Sequence, residues 1–545
     1  MIQIRQIKLP VDHDDTALES AVRRALRLED SRDLLNFSVI RRSIDARKKD
    51  TRGVVLIYTV NASVRDDSAA LERSARNSNV VPAPDTTYQL PHEVQPSSDR
   101  ERPIIIGTGP CGLFAALLLA QCGRPPLLIE RGKMAGPRAR DVTSFWRGES
   151  ELDPDSNVQY GEGGAGTFSD GKLYTGIKDR QHRIRWILNQ LADHGAPEDI
   201  LTNAKPHIGT DRLIKVVRNL REKILSLGGE FKFETRLTDI LVEAGKVRGI
   251  TTHTGEEFGT DTLVLAIGHS ARDTFEMLHA KGISMEAKPF SIGARIEHPQ
   301  AMIDRVRYGK DAGHPRLGSA PYKFAHHYGP NPKKQRAAYS FCMCPGGLVV
   351  GAASEPGHLV TNGMSSYARD NANANAGFMV DLRPGDYGGS DADPLAGIRF
   401  QRKLESKAFQ VGGSNNHAPA QLVGDLLANR ASTELGKVEP SYRPGVTLCD
   451  LREVLPEFVT NLFKKAIPRI GREIPGFERH DAILTAVETR SSSPLRITRD
   501  HQSLQSENTP GLYPAGEGAG YAGGIVSAAA DGLRVAEAIL GEPSE

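Results

Sequence analysis

Residues 102–132 read RPIIIGTGPCGLFAALLLAQCGRPPLLIERG, and this stretch decides the fold of the 545-residue chain. A short apolar run at 104–106 enters a turn with G-x-G-x-x-G spacing, and an apolar helical stretch follows it. A second apolar run at 127–129 then ends in Glu130. A buried strand, a glycine turn, a helix and a second strand in this order form the dinucleotide-binding βαβ unit. The sequence therefore predicts an α/β fold built on a Rossmann-like domain.

Each glycine of the turn has a separate physical role in this unit. The first permits the tight turn, the second lets the backbone approach a pyrophosphate, and the third lets helix and strand pack closely. The free N–H groups at the helix start favour a phosphate. Glu130 follows the second glycine by 21 positions, where a carboxylate meets ribose hydroxyls. The residues predicted here to bind cofactor are Gly107, Gly109, Pro110, Cys111, Gly112, Glu130 and Arg131.

Two further segments favour FAD among the dinucleotides. Residues 261–271, DTLVLAIGHSA, are similar to the strand-then-glycine motif that closes the FAD domain of two-dinucleotide-binding-type flavoproteins. The tail at 512–533, LYPAGEGAGYAGGIVSAAADGL, has a strand, an acid and a helix with small residues that can approach a flavin closely. The cofactor-binding residues predicted in these segments are Ala266, Gly268, Gly516, Glu517, Gly523, Gly524 and Ile525.

A second glycine-rich loop, GEGGAGTFSDGKL at 161–173, follows no strand and resembles the flavin-contacting loop of other FAD enzymes. Its backbone amides suit a pyrophosphate or the edge of a flavin ring. Lys172 lies either near the flavin or on the surface. No second G-x-G-x-x-G follows a strand, which argues against the pyridine-nucleotide disulfide reductase plan and leaves NAD(P)H as a transient electron donor at most. The predicted cofactor contacts in this loop are Gly163, Gly164, Ala165, Gly166, Thr167 and Ser169.

The candidate catalytic residues are Arg490, Glu488 and Lys172. Glu488 and Arg490 precede the flavin-contacting tail, so chain order places them near the ring. Arg490 suits a substrate carboxylate or the charge of a reduced flavin, and a structural Glu–Arg pair is the alternative. No His, Cys, Asp or Glu cluster has metal-ligand spacing, so we predict no metal site.

The chain divides into a small N-terminal α/β domain (1–85), a linker (86–100) and two parts of an FAD domain (101–285 and 481–545). An inserted β-rich substrate or cap domain (286–480) separates those two parts. The segment RRSIDARKKDTR at 41–52 carries six basic and two acidic residues. It is either a solvated hairpin turn or a patch for phosphates of RNA or a nucleotide.

Composition and charge narrow the class of protein. Hydrophobic residues make up 39% and charged residues 25% of the chain, which is typical of globular proteins. The net charge of +2 gives no global field for nucleic acid or membranes. Five cysteines without a C-x-x-C pair, and no signal-like or spanning apolar run, predict a cytoplasmic protein without a membrane span. Its oligomeric state is left open.

Motifs along nearly the whole chain resemble the bacterial FAD-dependent dehydrogenases, a family of NAD(P)/FAD-dependent oxidoreductases with a small N-terminal domain and no generally agreed substrate. The resemblance implies FAD and an oxidoreductase but no particular substrate. No His or Cys is placed for a covalent flavin link, so we expect non-covalent FAD that exchanges hydride with an organic small molecule. Two alternatives stay open: a flavoprotein that acts on or binds RNA through its basic N-terminal domain, and a non-catalytic flavin redox sensor. The motifs are RRSIDARKK (41–49), IIIGTGPCGLFAALLLA (104–120), GEGGAGTFSDGKL (161–173), KPFSIGARIEHP (288–299), FCMCPGG (341–347), TNGMS (361–365), ETRSSSPLRI (488–497) and GEGAGYAGGI (516–525).

Overall fold

The computed structural model describes residues 1–92, 101–331, 335–390 and 392–541. Residues 93–100 of the predicted linker lie outside these ranges. The N-terminal unit contains β1 (Ile2–Pro10), α1 (Ala17–Leu26), β2 (Leu34–Asp45), α2 (Lys49–Arg52), β3 (Val55–Val64), α3 (Asp67–Arg73) and β4 (Val80–Pro82). Its strands form one antiparallel sheet in the order β2-β3-β1-β4. This part of the chain therefore combines one sheet with three short α-helices.

The next part of the chain contains β5 (Ile104–Ile106), α4 (Pro110–Gln121), β6 (Leu127–Ile129), α5 (Ala135–Trp146), α6 (Arg183–Asp193), α7 (Thr210–Ser226), β7 (Glu230–Lys232), β8 (Leu237–Glu243), β9 (Lys246–Thr252), β10 (Glu257–Gly259), β11 (Leu263–Leu265) and α8 (Arg272–Ala280). Strands β8, β9 and β10 form a separate antiparallel meander. The helix α4 begins directly after the glycine turn, with Pro110 in its first turn, where a missing N–H costs nothing. This helix is buried along nearly its whole length, which explains its continuous apolar sequence.

The inserted region follows with β12 (Met285–Ala287), β13 (Phe290–Pro299), α9 (Gln300–Tyr308), β14 (Ala325–Tyr328), β15 (Arg336–Cys344), β16 (Leu348–Gly351), β17 (Thr361–Met364), β18 (Asn373–Leu382), α10 (Pro384–Tyr387), α11 (Ala396–Val411), β19 (Ala418–Leu422), α12 (Val423–Leu427), β20 (Val446–Leu448), α13 (Glu457–Glu473), β21 (Ile483–Glu488) and β22 (Leu495–Ile497). The chain ends with β23 (Leu512–Pro514) and α14 (Ile525–Leu540).

A seven-stranded sheet is the centre of the inserted region, in the order β14-β15-β18-β13-β21-β19-β20. Strand β21 is hydrogen-bonded between β13 and β19, although it lies after residue 480. Hydrogen bonding thus joins β21 to the sheet of the inserted region, although the sequence prediction places its residues in the second part of the FAD domain. Strands β12 and β22 pair with each other beside it.

The central sheet of the dinucleotide-binding region has five parallel strands in the order β23-β11-β5-β6-β7. Read from β7 to β23 and numbered by their sequence in the chain, the strands have the Rossmann order 3-2-1-4-5. The strand order reverses between β5 and β11, and ligands of such sheets bind in the crevice at that point. The predicted α/β fold class is confirmed, and the glycine turn after β5 lies at this crevice.

The N-terminal unit and the inserted region share one continuous hydrophobic core. Ile4 and Val60 of the first unit and Phe378 and Phe463 of the second belong to the same buried cluster. Hydrogen bonds reinforce the contact, since the Val54 N–H donates to an Asp311 carboxylate oxygen at 2.6 Å. Within the described residues, no helix is long and apolar enough to cross a membrane, and no group of three or more His, Cys, Asp or Glu residues is arranged for a metal ion.

Candidate functional site

A cavity of about 490 Å³ lies at the crevice between the ends of β5 and β11. It brings together four segments that are far apart in sequence: the turn after β5, the 164–172 loop, the end of β11 and the start of α14. The predicted catalytic residues line the same cavity. The predicted residues that line it are Gly107, Gly109, Pro110, Cys111, Glu130, Arg131, Gly164, Ala165, Gly166, Ser169, Lys172, Ala266, Gly268, Glu488, Arg490, Glu517, Gly523, Gly524 and Ile525.

Four predicted cofactor residues are not among the cavity-lining residues. A Cβ on Gly112 would lie 2.0 Å from the Gly107 carbonyl oxygen, so Gly112 serves close packing of turn and helix. Gly163 has a positive φ, and a Cβ there would lie 2.2 Å from the Thr167 hydroxyl, so these two pack against each other. Gly516 donates its N–H to the Asp531 carboxylate at 2.8 Å. These residues do not line the cavity; their packing and hydrogen bonds hold the backbone of the residues that do.

Two helices begin at the cavity without a side-chain cap. Helix α4 starts after Gly109 and helix α14 after Gly524, and neither residue can supply a capping oxygen. The free N–H groups and the helix dipole at such starts attract anions. A Cβ placed on Gly268, Gly523 or Gly524 would meet no atom within 4 Å. The cavity wall is therefore bare backbone at these points, and a ligand can approach it closely.

Glu130 joins the glycine turn to the 161–166 loop. One of its carboxylate oxygens accepts from the Thr108 N–H at 2.9 Å and the Thr108 hydroxyl at 2.8 Å. The other oxygen accepts from the N–H groups of Gly132 at 3.0 Å and Gly161 at 2.9 Å. The predicted contact with ribose hydroxyls stays a prediction, and a ribose there would share a carboxylate that already holds these donors.

Arg490 belongs to a buried ion cluster at the cavity. Its guanidinium donates to the Glu405 carboxylate at 2.9 Å, to the Ser354 hydroxyl at 2.6 Å and to the Ser270 hydroxyl at 3.1 Å. Arg272 donates to the same carboxylate at 2.7 Å. Burial alone would raise the pKa of Glu405, but the two arginines outweigh burial and hold that pKa well below its usual value. Arg272 also pairs with Glu355, so Glu405 and Glu355 balance the charges of the two guanidinium groups.

Glu488 and Lys172 each have their own partner at the cavity. Glu488 lies 2.7 Å from the buried Arg295 guanidinium, yet burial still raises the pKa of its carboxyl group. Lys172 donates to the Met343 carbonyl and lies 3.7 Å from the Asp170 carboxylate. Burial opposes the charge of Lys172, but neighbouring thiols and Asp170 outweigh it and raise its pKa. Lys172 is therefore a cation in this cavity.

Comparison with known proteins assigns the chain to a family. A protein of Clostridium beijerinckii, described as an uncharacterized protein, is 45% identical over 544 residues, which is 99% of this chain and 98% of the relative. The sequence profile of the family "FAD-dependent protein, C-terminal domain-like" matches residues 289–491. The chain belongs to this FAD-dependent family. A second profile, "Domain of unknown function (DUF8436)", matches residues 1–63 of the FAD-dependent protein.

Solved flavoprotein structures resemble this FAD-dependent protein only distantly. Aquifex aeolicus GidA is 14% identical with a TM-score of 0.35, and the alignment covers 82% of this chain and 64% of GidA. Glycine oxidase from Geobacillus kaustophilus is 11% identical with a TM-score of 0.34, with 81% and 95% covered. Likeness at this level carries no conclusion about activity.

The residues of the cavity fit the FAD of this family. The two uncapped helix starts and the bare glycines supply what a pyrophosphate and a flavin ring require at close approach. Burial raises the pKa of Glu517 to about 7, although the Gly524 N–H and Lys288 oppose the shift. A carboxyl group with this pKa is able to donate a hydrogen bond near neutral pH, so Glu517 suits a hydroxyl or carbonyl oxygen of the cofactor.

Sequence reasoning missed the partners of the charged residues in this FAD-dependent protein. Glu405 lies 85 residues before Arg490 and 133 after Arg272, and no local pattern joins them. The sequence carries one weak signal for Glu405. It falls on the face of the amphipathic helix α11 that also carries Ile398 and Ala408, where a charged residue is unusual. His269 also lines the cavity, and burial with Arg490 lowers its pKa to about 3, so it is neutral.

Proposed function

We propose that this protein is an FAD-dependent oxidoreductase that transfers hydride between the flavin and an organic small molecule. The observation that carries the proposal is the shared cavity. Charged groups of the inserted region and of the 164–172 loop line the same space as the glycine turns of the dinucleotide fold. A cofactor bound at those turns would therefore lie beside Lys172, Glu488 and Arg490, which are able to bind a substrate.

The charges at the cavity suit an anionic substrate or a negative charge that develops during reduction. FAD, when bound, supplies the hydride chemistry. Lys172 supplies positive charge at the cavity, and the paired Arg490 guanidinium presents hydrogen-bond donors beside it, in a largely buried place where electrostatic stabilisation is strong. Burial raises the carboxyl pKa of both Glu488 and Glu517, so these two groups at the cavity are the candidates to hold or release a proton. NAD(P)H as electron donor is a further part of this proposal.

The first experiment identifies the cofactor. We expect the purified protein to be yellow and to release FAD on denaturation, because the cavity holds FAD without a covalent bond. Chromatography of the released flavin checks this expectation. Release of FMN, or of no flavin, contradicts the proposal.

The second experiment tests Arg490. Arg490→Met removes the guanidinium, and we expect flavin reduction or reoxidation to slow at least about tenfold, which is about 1.4 kcal/mol. Stopped-flow absorbance of the FAD-loaded protein measures the rate. The matched control is Arg183→Met, since Arg183 is also buried and pairs with a glutamate, Glu537, but does not line the cavity.

Equal rates in wild type and Arg490→Met would remove Arg490 from the active site. An equal loss in both variants would show a structural effect only. Negligible flavin turnover with every donor and acceptor tried would favour the redox-sensor alternative instead.

A further inference from the structure

A second cavity, of about 1100 Å³, lies where the N-terminal unit meets the rest of the molecule. Its walls come from the segment 42–50, from 199–207 of the FAD domain, and from 305–321, 367–369 and 472–475 of the inserted region. Three basic residues of the segment 41–52, Arg42, Arg47 and Lys49, therefore line a cavity, while its other basic side chains are exposed. Neither the family nor the proposed reaction accounts for this cavity.

The walls of this cavity are strongly basic. Nine Arg and Lys side chains line it against four Asp and Glu side chains, whereas the whole chain has a net charge of only +2. Cations are therefore concentrated here far above the average for the chain. Such concentration is costly in the empty protein, because like charges repel, and it is offset when an anion binds.

Five of the nine cations have no carboxylate partner among the residues that the structure describes; they are Arg42, Lys205, Arg305, Arg307 and Arg472. The Arg42 guanidinium donates to a neutral acceptor, the Asn203 side-chain oxygen, at 2.9 Å. Burial and the neighbouring Arg307 and Lys323 lower the pKa of Lys205, as expected where cations crowd together. By contrast, Arg47 pairs with Asp45 at 2.8 Å. The unpaired cations come from three parts of the chain and converge on one space.

An ion pair in the common wall separates this cavity from the flavin cavity. Arg369 lines the second cavity and Asp170 lines the first, and they form two hydrogen bonds at 2.9 and 2.5 Å. The basic cavity is therefore a distinct site, and FAD bound in the first cavity does not neutralise its cations.

We propose that the second cavity binds a small organic molecule that carries two or more phosphate groups. Guanidinium groups bind phosphate oxygens through paired hydrogen bonds, and several converging arginines suit several phosphates better than one carboxylate. The volume exceeds the roughly 300 Å³ at which small-molecule sites begin. The cations come from separate walls of one cavity, and this compact arrangement suits a small molecule better than the extended backbone of RNA.

The test uses full-length protein saturated with FAD, so that the phosphate-binding turn of the first cavity is filled. Inorganic pyrophosphate is the probe, and isothermal titration calorimetry measures its Kd. The variants are Arg42→Gln and Arg307→Gln, from two different walls. The matched control is Arg24→Gln, because Arg24 is an exposed arginine on α1 outside the cavity.

We expect wild type and Arg24→Gln to bind pyrophosphate with the same Kd, and each cavity variant to raise it about tenfold or more. Thermal melting and flavin content show whether the variants are folded. If Arg42→Gln is unstable, Arg307→Gln still tests the proposal, because Arg307 is an exposed residue of α9. No binding by wild type, or the same Kd in all four proteins, overturns the proposal. Tighter binding of a single-stranded oligoribonucleotide than of pyrophosphate, lost in the same variants, also overturns it and assigns the site to RNA.

Discussion

Glu130 receives four hydrogen bonds from three residues, so its carboxylate stabilises the fold as well as the predicted ribose contact. Glu130→Ala leaves these donors without their acceptor. We expect the apo-protein to lose about 1–3 kcal/mol of stability, the cost of unpaired buried groups, and the FAD affinity to fall. Urea unfolding and flavin retention after dialysis measure the two effects. Glu149→Ala, at an exposed glutamate, is the control, and a variant that keeps both properties contradicts the assignment.

Glu517 makes the stability of the apo-protein depend on pH. Burial raises its folded pKa from 4.5 to about 7, so its contribution is full below about pH 4.5 and is lost as pH rises through about 7. Glu517→Gln is neutral at every pH and avoids this loss. We therefore expect the variant to gain stability relative to wild type as pH rises from about 5 to about 8. Unfolding curves of both apo-proteins test this, and parallel pH profiles would contradict the raised pKa.

Among the secondary-structure elements, helices α4 and α14 pack against each other, and the N-terminal ends of both line the flavin cavity. A Cβ on Gly532 of α14 would lie 2.2 Å from the Cys111 carbonyl oxygen of α4. Gly532→Ala forces the helices apart, and we expect a loss of about 1–3 kcal/mol and weaker FAD retention.

Thermal melting and the flavin absorbance that remains after gel filtration measure the effects of Gly532→Ala. Gly136→Ala on α5 is the matched control, because a Cβ there meets no atom within 4 Å. That change should be neutral or slightly stabilising, since alanine favours a helix over glycine. Equal behaviour of the two variants would show that the helix contact tolerates a methyl group.

At the scale of the whole molecule, the shared core makes the N-terminal unit part of the fold. Removal of residues 1–92 exposes the apolar surface of the inserted region that packs in that core, and frees the Asp311 carboxylate that accepts from Val54. We expect a lower melting temperature and binding of a hydrophobic dye. Co-expression of 1–92 as a separate chain is the control and should restore stability. An unchanged melting temperature would show that the two units fold independently.

The sequence by itself determined the dinucleotide-binding unit. The glycine turn, the fully apolar helix and the strand before Glu130 all lie within 102–132, and each depends on interactions between near neighbours. The parallel sheet followed, because strands joined by such crossovers pair in a restricted order. The glycines that line the cavity were found for the same reason, since their roles are properties of a local turn.

Three other features depend on the tertiary structure alone: the ion-pair partners at the cavity, the sheet that β21 joins and the second cavity. The acid that pairs with Arg490 is Glu405, and this pairing depends on where helix α11 packs. The two residues are 85 positions apart in sequence, so no local pattern predicts the pair. Strand β21 looks the same in sequence whichever sheet it joins, so its place in the seven-stranded sheet came from hydrogen bonding. The charge of the basic segment at 41–52 is visible in the sequence, but only packing against 305–321 makes part of it one wall of a cavity. The charge of a segment and the conformation of a turn depend on neighbouring residues, so they can be predicted from the sequence. Ion-pair partners and cavities form only when segments that are distant in sequence pack together.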